Sequence, residues 1–198
     1  MPTVVVPFRS SDPKSRLQGM SAAQRELLAR AMLADVLAAA EPVGPLIVVA
    51  AETTELPASA QLVVDPRRGH GAAVEAALDA VTAGALPTPV LIVNADLPCV
   101  GTRDLLALAG AVPDRGVALV AAADGTTNAI ALSDGSLFRP VYGPGSAERF
   151  AALGPSRLLE APNLADDVDT IADLTRLRGR LGEHSRRVLA ELRLETAA

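Results

Sequence analysis

Aromatic side chains are nearly missing from this chain. Phe, Trp and Tyr together make up 2% of it, with no Trp and a single Tyr, although 49% of the 198 residues are hydrophobic. The core must therefore be built from Ala, Val, Leu and Ile. Cysteine is almost absent too: Cys99 is the one copy, which excludes an intrachain disulfide and a multi-Cys zinc site. It lies beside a candidate ligand loop, but only His70 and His184 could partner it. It reads as a small packing residue rather than a nucleophile. There is no basic excess. Eighteen Lys and Arg against 23 Asp and Glu leave a net charge of −5, which argues against non-specific nucleic-acid binding. A local basic pocket for a small phosphorylated ligand remains compatible with that balance. No apolar run is long enough for a membrane span, and the N-terminus lacks a signal-peptide layout, so no membrane partner and a cytoplasmic location are expected. Two phosphate-binding signatures are also missing, the G-x-x-x-x-G-K-[ST] loop and the G-x-G-x-x-G turn.

What is present is an alternation of short apolar runs and helical patterns, which favours an α/β fold with an open, mostly parallel or mixed sheet flanked by helices. No repeat or linker divides the chain, so residues 1–198 read as one domain. Strands are expected at 3–6, 46–50, 61–64, 90–93, 117–122, 128–132 and 157–160, the sixth of them antiparallel to the others. Helices are expected from Ser21, with Gln24 in capping-box spacing, from Gly69 to about Ala83, after a capping Thr102, over 146–153, and in one long run from Thr170 to about Leu194. The organising stretch is Val90-Leu91-Ile92-Val93-Asn94-Ala95-Asp96-Leu97-Pro98. A β-branched run buried on both faces delivers the Asp96 carboxylate where the strand ends, and ligands of open α/β sheets sit outside the carboxyl ends of strands. Asp96 either faces a metal or substrate there, or caps the following turn.

Four further constellations bear on chemistry. Arg9, Lys14 and Arg16 follow the first strand and could receive a polyphosphate, or form a solvated basic loop. Gly69-His70-Gly71 opens a helix whose N-terminus favours anions; an ordinary turn with a surface histidine is the plainer reading. Asp124-Gly125-Thr126-Thr127-Asn128 and Gly143-Pro144-Gly145-Ser146 are small-residue loops able to cradle a phosphate or carboxylate, or simply to turn the chain. Asp166-Asp167-Val168-Asp169 clusters acids that repel one another unless a cation is near, and alternation puts Asp167 and Asp169 on one face.

Together these segments resemble the CofC/FbiD family of 2-phospho-L-lactate or phosphoenolpyruvate guanylyltransferases. The resemblance is carried by Pro7-Phe8-Arg9 with Lys14-Ser15-Arg16-Leu17, by Ala31-Met32-Leu33-Ala34-Asp35-Val36-Leu37 and by Asn94-Ala95-Asp96-Leu97-Pro98. It continues in Gly125-Thr126-Thr127-Asn128, Tyr142-Gly143-Pro144-Gly145-Ser146 and Asp167-Val168-Asp169-Thr170. It spans about residues 4 to 175. It implies a GT-A-like nucleotidyltransferase fold and a reaction that joins GMP from GTP to the acid, in biosynthesis of the deazaflavin coenzyme F-420. It implies magnesium on Asp96 and Asp169, the acid at Thr127, Gly143 and Ser146, and the nucleotide at Arg9, Lys14, Arg16, Gly69 and Gly71. Lys14, Arg16 and Asp96 would take the catalytic roles. A homodimer is compatible with it. Arg9 stands where many members have Lys, and Gly71-Ala72-Ala73 where members often have Gly-Leu-Asn. The alternatives are another nucleotidyltransferase of the same fold, of the molybdopterin guanylyl- or cytidylyltransferase kind, and a non-catalytic nucleotide-sensing module.

Overall fold

A computed structural model describes residues 1–9, 17–52 and 54–192. Seven strands form one sheet: β1 (Thr3–Pro7), β2 (Leu46–Ala50), β3 (Ala60–Val64), β4 (Val90–Val93), β5 (Val117–Ala121), β6 (Thr127–Leu132) and β7 (Ser156–Leu158). Their order is β3-β2-β1-β4-β6-β5-β7. Only β6 is reversed: it pairs antiparallel with both β4 and β5, while the other pairings are parallel.

The central strands are buried along their whole length, as a sheet covered on both faces requires. Alternation then sorts their side chains between two cores. Val4, Val6, Leu91 and Val93 face one side, and Val5, Val90 and Ile92 face the other. The first core lies under α1 (Ala22–Ala40), α3 (Thr102–Gly110), α6 (Ile171–Leu177) and α7 (Glu183–Glu191). The second lies under α2 (His70–Ala83) and α4 (Ser146–Ala151), where Phe138 and Phe150 supply the bulk. Leu28, Leu91 and Ile130 have no exposed surface. Truncating such a residue to Ala costs about 2–5 kcal/mol, because part of the cavity stays empty.

Local chemistry sets the helix ends. Ser21 and Gln24 form the capping box of α1: the Gln24 amide donates to Ser21 Oγ at 3.2 Å, and the Ser21 amide donates to Gln24 Oε1 at 2.8 Å. Thr102 does not cap α3. The Gly101 amide donates to the Asp104 carboxylate at 2.8 Å, and the Thr102 hydroxyl donates instead to the Ala39 carbonyl at the end of α1. The long C-terminal helix is two helices. Thr170 and Asp173 cap α6, which stops at Leu177, and α7 begins after Gly182. The seventh strand is also shorter than expected, ending at Leu158, and a further short helix, α5 (Pro162–Ala165), precedes the acidic segment. No helix among the described residues is long and apolar enough to cross a membrane.

Candidate active site

Parallel strands deliver their carboxyl ends to one edge of the sheet. A reversed strand delivers its beginning to the same edge. β4 therefore brings Asn94 to Asp96 there, and β6 brings Thr127 and Asn128. The two ends are tied together: the Asn94 amide donates to the Asn128 carbonyl at 3.0 Å, and Asn94 Nδ2 to the Thr127 carbonyl at 3.3 Å. A register shift at Val120/Ala121 marks the start of the turn that leads into β6.

The acidic segment crosses this edge. The Val168 amide donates to the Asp96 carbonyl at 3.1 Å, and the Val168 side chain is fully buried. That leaves Asp167 and Asp169 on the opposite side, facing Asp96. One oxygen from each of Asp96, Asp167 and Asp169 lies within 4.8 Å of the others. Burial first, then the charges of Asp96 and Asp169, hold the Asp167 carboxyl above the usual carboxylate range. A set of converging carboxylate oxygens under mutual repulsion suits a hard divalent cation. Asn128 steadies this set, donating from Nδ2 to the Ala165 carbonyl at 3.0 Å and to Asp167 Oδ1 at 3.4 Å. Asp166, the fourth acid, turns away to Arg176 and Arg180. Burial raises its pKa, but the hydrogen bonds from both guanidinium groups outweigh that and leave it lowered.

The two small-residue loops meet. The hydroxyls of Thr127 and Ser146 lie 3.0 Å apart, both residues being buried. The Ala147 amide donates to the Gly125 carbonyl at 3.3 Å. Gly143 and Gly145 have φ of +107° and +71°, which L side chains rarely adopt, so glycine is needed at both. Arg149, one turn into α4, holds the loop shape by donating to the carbonyls of Val141, Tyr142 and Pro144.

Of the residues expected to meet a nucleotide, Arg9 pairs with Asp65 at 3.2 Å, and Asp65 also accepts the Arg67 amide. Lys14 and Arg16 lie outside the described residues. Gly69 has φ +107° at the head of α2. Gly71 is small for a packing reason, since a Cβ there would meet Pro140 Cβ at 2.5 Å. His70 is not a surface histidine. Its Nε2 is fully covered, and burial lowers its pKa. Cys99 is buried, and burial pushes its thiol up, in line with a packing role.

Asn128, Arg149 and Tyr142 thus adjoin the candidate site without having been given a role from sequence, and His70, read there as a surface histidine, adjoins it buried. Adjacency to Thr127 at the head of a reversed strand could have flagged Asn128. The other three depend on contacts between distant segments.

The family model described as guanylyl transferase CofC like matches residues 2–155. A 2-phospho-L-lactate guanylyltransferase of Methanosphaerula palustris is 35% identical over 182 residues, covering 89% of this chain and 83% of its own length. A phosphoenolpyruvate guanylyltransferase of Mycobacterium ulcerans is 34% identical over 206 residues, covering 96% and 94%. Among solved structures, the 2-C-methyl-D-erythritol 4-phosphate cytidylyltransferase of Thermus thermophilus superposes with a TM-score of 0.59 at 17% identity, over 89% of this chain and 96% of the other. That last likeness places the sheet and its flanking helices in the nucleotidyltransferase fold. With most of its length matched by the family and by relatives at about a third identity, the chain belongs to the CofC-like guanylyl transferases.

Proposed function

We propose that this chain is a cytoplasmic guanylyltransferase that joins GMP from GTP to a phosphorylated three-carbon acid, phosphoenolpyruvate or 2-phospho-L-lactate. Pyrophosphate is released, and the product serves biosynthesis of the deazaflavin coenzyme F-420. One observation carries the reading. In a chain of this family, the Asp96, Asp167 and Asp169 cluster lies on the same sheet edge as the paired Thr127 and Ser146 hydroxyls and the Gly143 to Gly145 turn. The relatives named above use one acid or the other.

A phosphate oxygen of the acid attacks the α-phosphorus of GTP. A new P–O bond forms while the bond from the α-phosphorus to the bridging oxygen breaks, and pyrophosphate leaves with that electron pair. A phosphate ester is already an anion near neutral pH, so no general base is required. The difficulty is bringing anions together. Asp96 and Asp169, with Asp167 beside them, would hold Mg2+, which when bound neutralises phosphate charge and aligns the two reactants. Thr127, Ser146 and the Gly143 backbone receive the acid. Gly69 and Gly71 at the head of α2, with Arg9, face the nucleotide. Lys14 and Arg16 stabilise charge on the departing pyrophosphate, an assignment that rests on the sequence resemblance alone. Positioning and electrostatics carry most of such catalysis.

The test is to incubate the protein and magnesium with GTP or CTP and with each acid in turn, then weigh the products. A GMP–acid adduct formed with equal pyrophosphate is expected. Nucleotide binding with no pyrophosphate release would mark a sensing module. Turnover of a pterin substrate in place of either acid would mark the molybdopterin branch.

A further inference from the structure

His70 and Tyr142 have no part in the reaction as set out, yet they adjoin its site. His70 opens α2, and Tyr142 immediately precedes Gly143. Their rings meet edge to face, with centroids 4.3 Å apart at 86°. Tyr142 is wedged in turn against Phe150, at 5.0 Å. The imidazole also feels the charges of Asp96, Arg9 and Asp65. Both residues are only half-buried, but His70 Nε2 and the Tyr142 hydroxyl have no solvent contact and no hydrogen-bond partner among the described residues.

Buried polar atoms in native proteins are nearly always paired, so two adjoining orphans at a ligand site need an explanation. Nearby groups do not supply one. The Thr127 and Ser146 hydroxyls lie within hydrogen-bond distance of each other, and Arg149 engages the carbonyls of Val141, Tyr142 and Pro144. Tyr142 adjoins the Gly143 turn and His70 stands against Tyr142, so a ligand seated at that turn lies beside both. We infer that His70 and Tyr142 are specificity-determining residues of the acid pocket, giving neutral hydrogen bonds to an anionic oxygen of the phosphorylated acid. This rests on the guanylyltransferase reading above. Because burial keeps the imidazole neutral, it donates through Nε2–H without adding charge, and the phenol donates beside it. A neutral donor to an oxyanion still makes a strong, directional bond. Engagement takes a swing of the Tyr142 side chain about χ1, because turning the ring about its own axis leaves the hydroxyl where it is.

The rival account is a purely structural one, in which the phenol turns to donate to the imidazole and the two satisfy each other. Tyr142→Phe and His70→Leu separate the accounts. Affinities for phosphoenolpyruvate and 2-phospholactate, and separately for GTP, are measured by calorimetry with magnesium present. KM is measured for each substrate, and Tm on the unliganded protein. Tyr142→Phe is expected to weaken binding of whichever acid the wild type uses by about 10-fold, the scale of one hydrogen bond to a charged group. GTP affinity should stay within about 2-fold of wild type. Tm should hold or rise, since the removed hydroxyl has no partner to lose. His70→Leu should show the same split between acid and nucleotide. Equal losses for both ligands, no loss for either, or a lowered Tm in Tyr142→Phe overturns the inference alone. Wild-type protein that binds GTP but neither acid overturns the guanylyltransferase reading and this inference with it.

Discussion

Asp96 is the residue on which the proposed chemistry turns. Asp96→Asn keeps the shape of the side chain and removes one charge from a cluster whose members lie within 4.8 Å. Turnover should fall at least about 100-fold, because metal-bridged charge stabilisation is worth several kcal/mol. The check is initial rate at saturating magnesium, with circular dichroism to show the fold intact; near-normal rates would remove Asp96 from the site. The Thr127 and Ser146 hydroxyls call for a different experiment, because they meet each other in a buried setting. Thr127→Val alone leaves Ser146 Oγ buried without a partner, at a cost of about 1–3 kcal/mol. Ser146→Ala alone strands Thr127 in the same way. The double variant should cost less than the sum of the two, as urea unfolding of all four proteins would reveal. Strict additivity would mean that the two hydroxyls do not bond in solution.

Among the elements, α7 depends on a side chain far away in sequence. Asp35 lies inside α1, buried, and accepts the amides of His184 and Ser185, both at 2.9 Å. It satisfies the first turn of a helix nearly 150 positions later, and Gly182 is needed because a Cβ there would come within 2.3 Å of that carboxylate. Asp35→Ala should therefore lower stability by about 1–2 kcal/mol and loosen α7 first, read as faster amide exchange at His184 and Ser185 than in the sheet. Uniform exchange across the molecule would deny α7 this separate anchor. The same contact explains which elements were legible in the sequence. The apolar runs of β1, β2 and β4 and the Ser21–Gln24 box are local signals, and the structure follows them. The break between α6 and α7 is marked locally only by Gly179 and Gly182, and the restart is not local. From Thr170 to Leu194 helix formers predominate, while the second helix is restarted by a carboxylate supplied from α1. Thr102 misled for a similar reason, since its hydroxyl found the end of α1 instead of its own helix. The site divides in the same way. Asp96, Thr127, Ser146 and the acids at 167 and 169 stand out by residue type and position. The burial of His70 Nε2 and the loop clamp of Arg149 exist only once α2, α4 and the Gly143 turn have come together.

For the molecule as a whole, one reversed strand makes the site. Had β6 run parallel, Thr127 and Asn128 would sit at the opposite edge from Asp96. The cost of gathering three acids there should show in global stability. Asp167 has a raised pKa in the fold, so the stability tied to its protonated form is present at low pH and lost as pH rises through the raised value. Magnesium should consequently raise Tm more at pH 7 than at pH 5. At about ten times its dissociation constant it adds about 1.4 kcal/mol, or about 3–6 °C for a chain of this size. Thermal unfolding in magnesium and in chelator at both pH values is the measurement, and an equal shift at the two would contradict it. A second consequence follows from the scarcity of aromatics. With no Trp and Tyr142 the single tyrosine, the near-ultraviolet emission of the protein comes from that one ring, held edge-on against His70 beside the Gly143 turn. Burial holds its phenol well above the ordinary value of about 10. Its stability contribution is thus complete below that ordinary value and is lost as pH climbs towards the raised one, so phenolate absorbance should appear together with unfolding and not before it. At neutral pH the same ring is a built-in fluorophore: acid and nucleotide can each be titrated against the light of one residue, with no label attached.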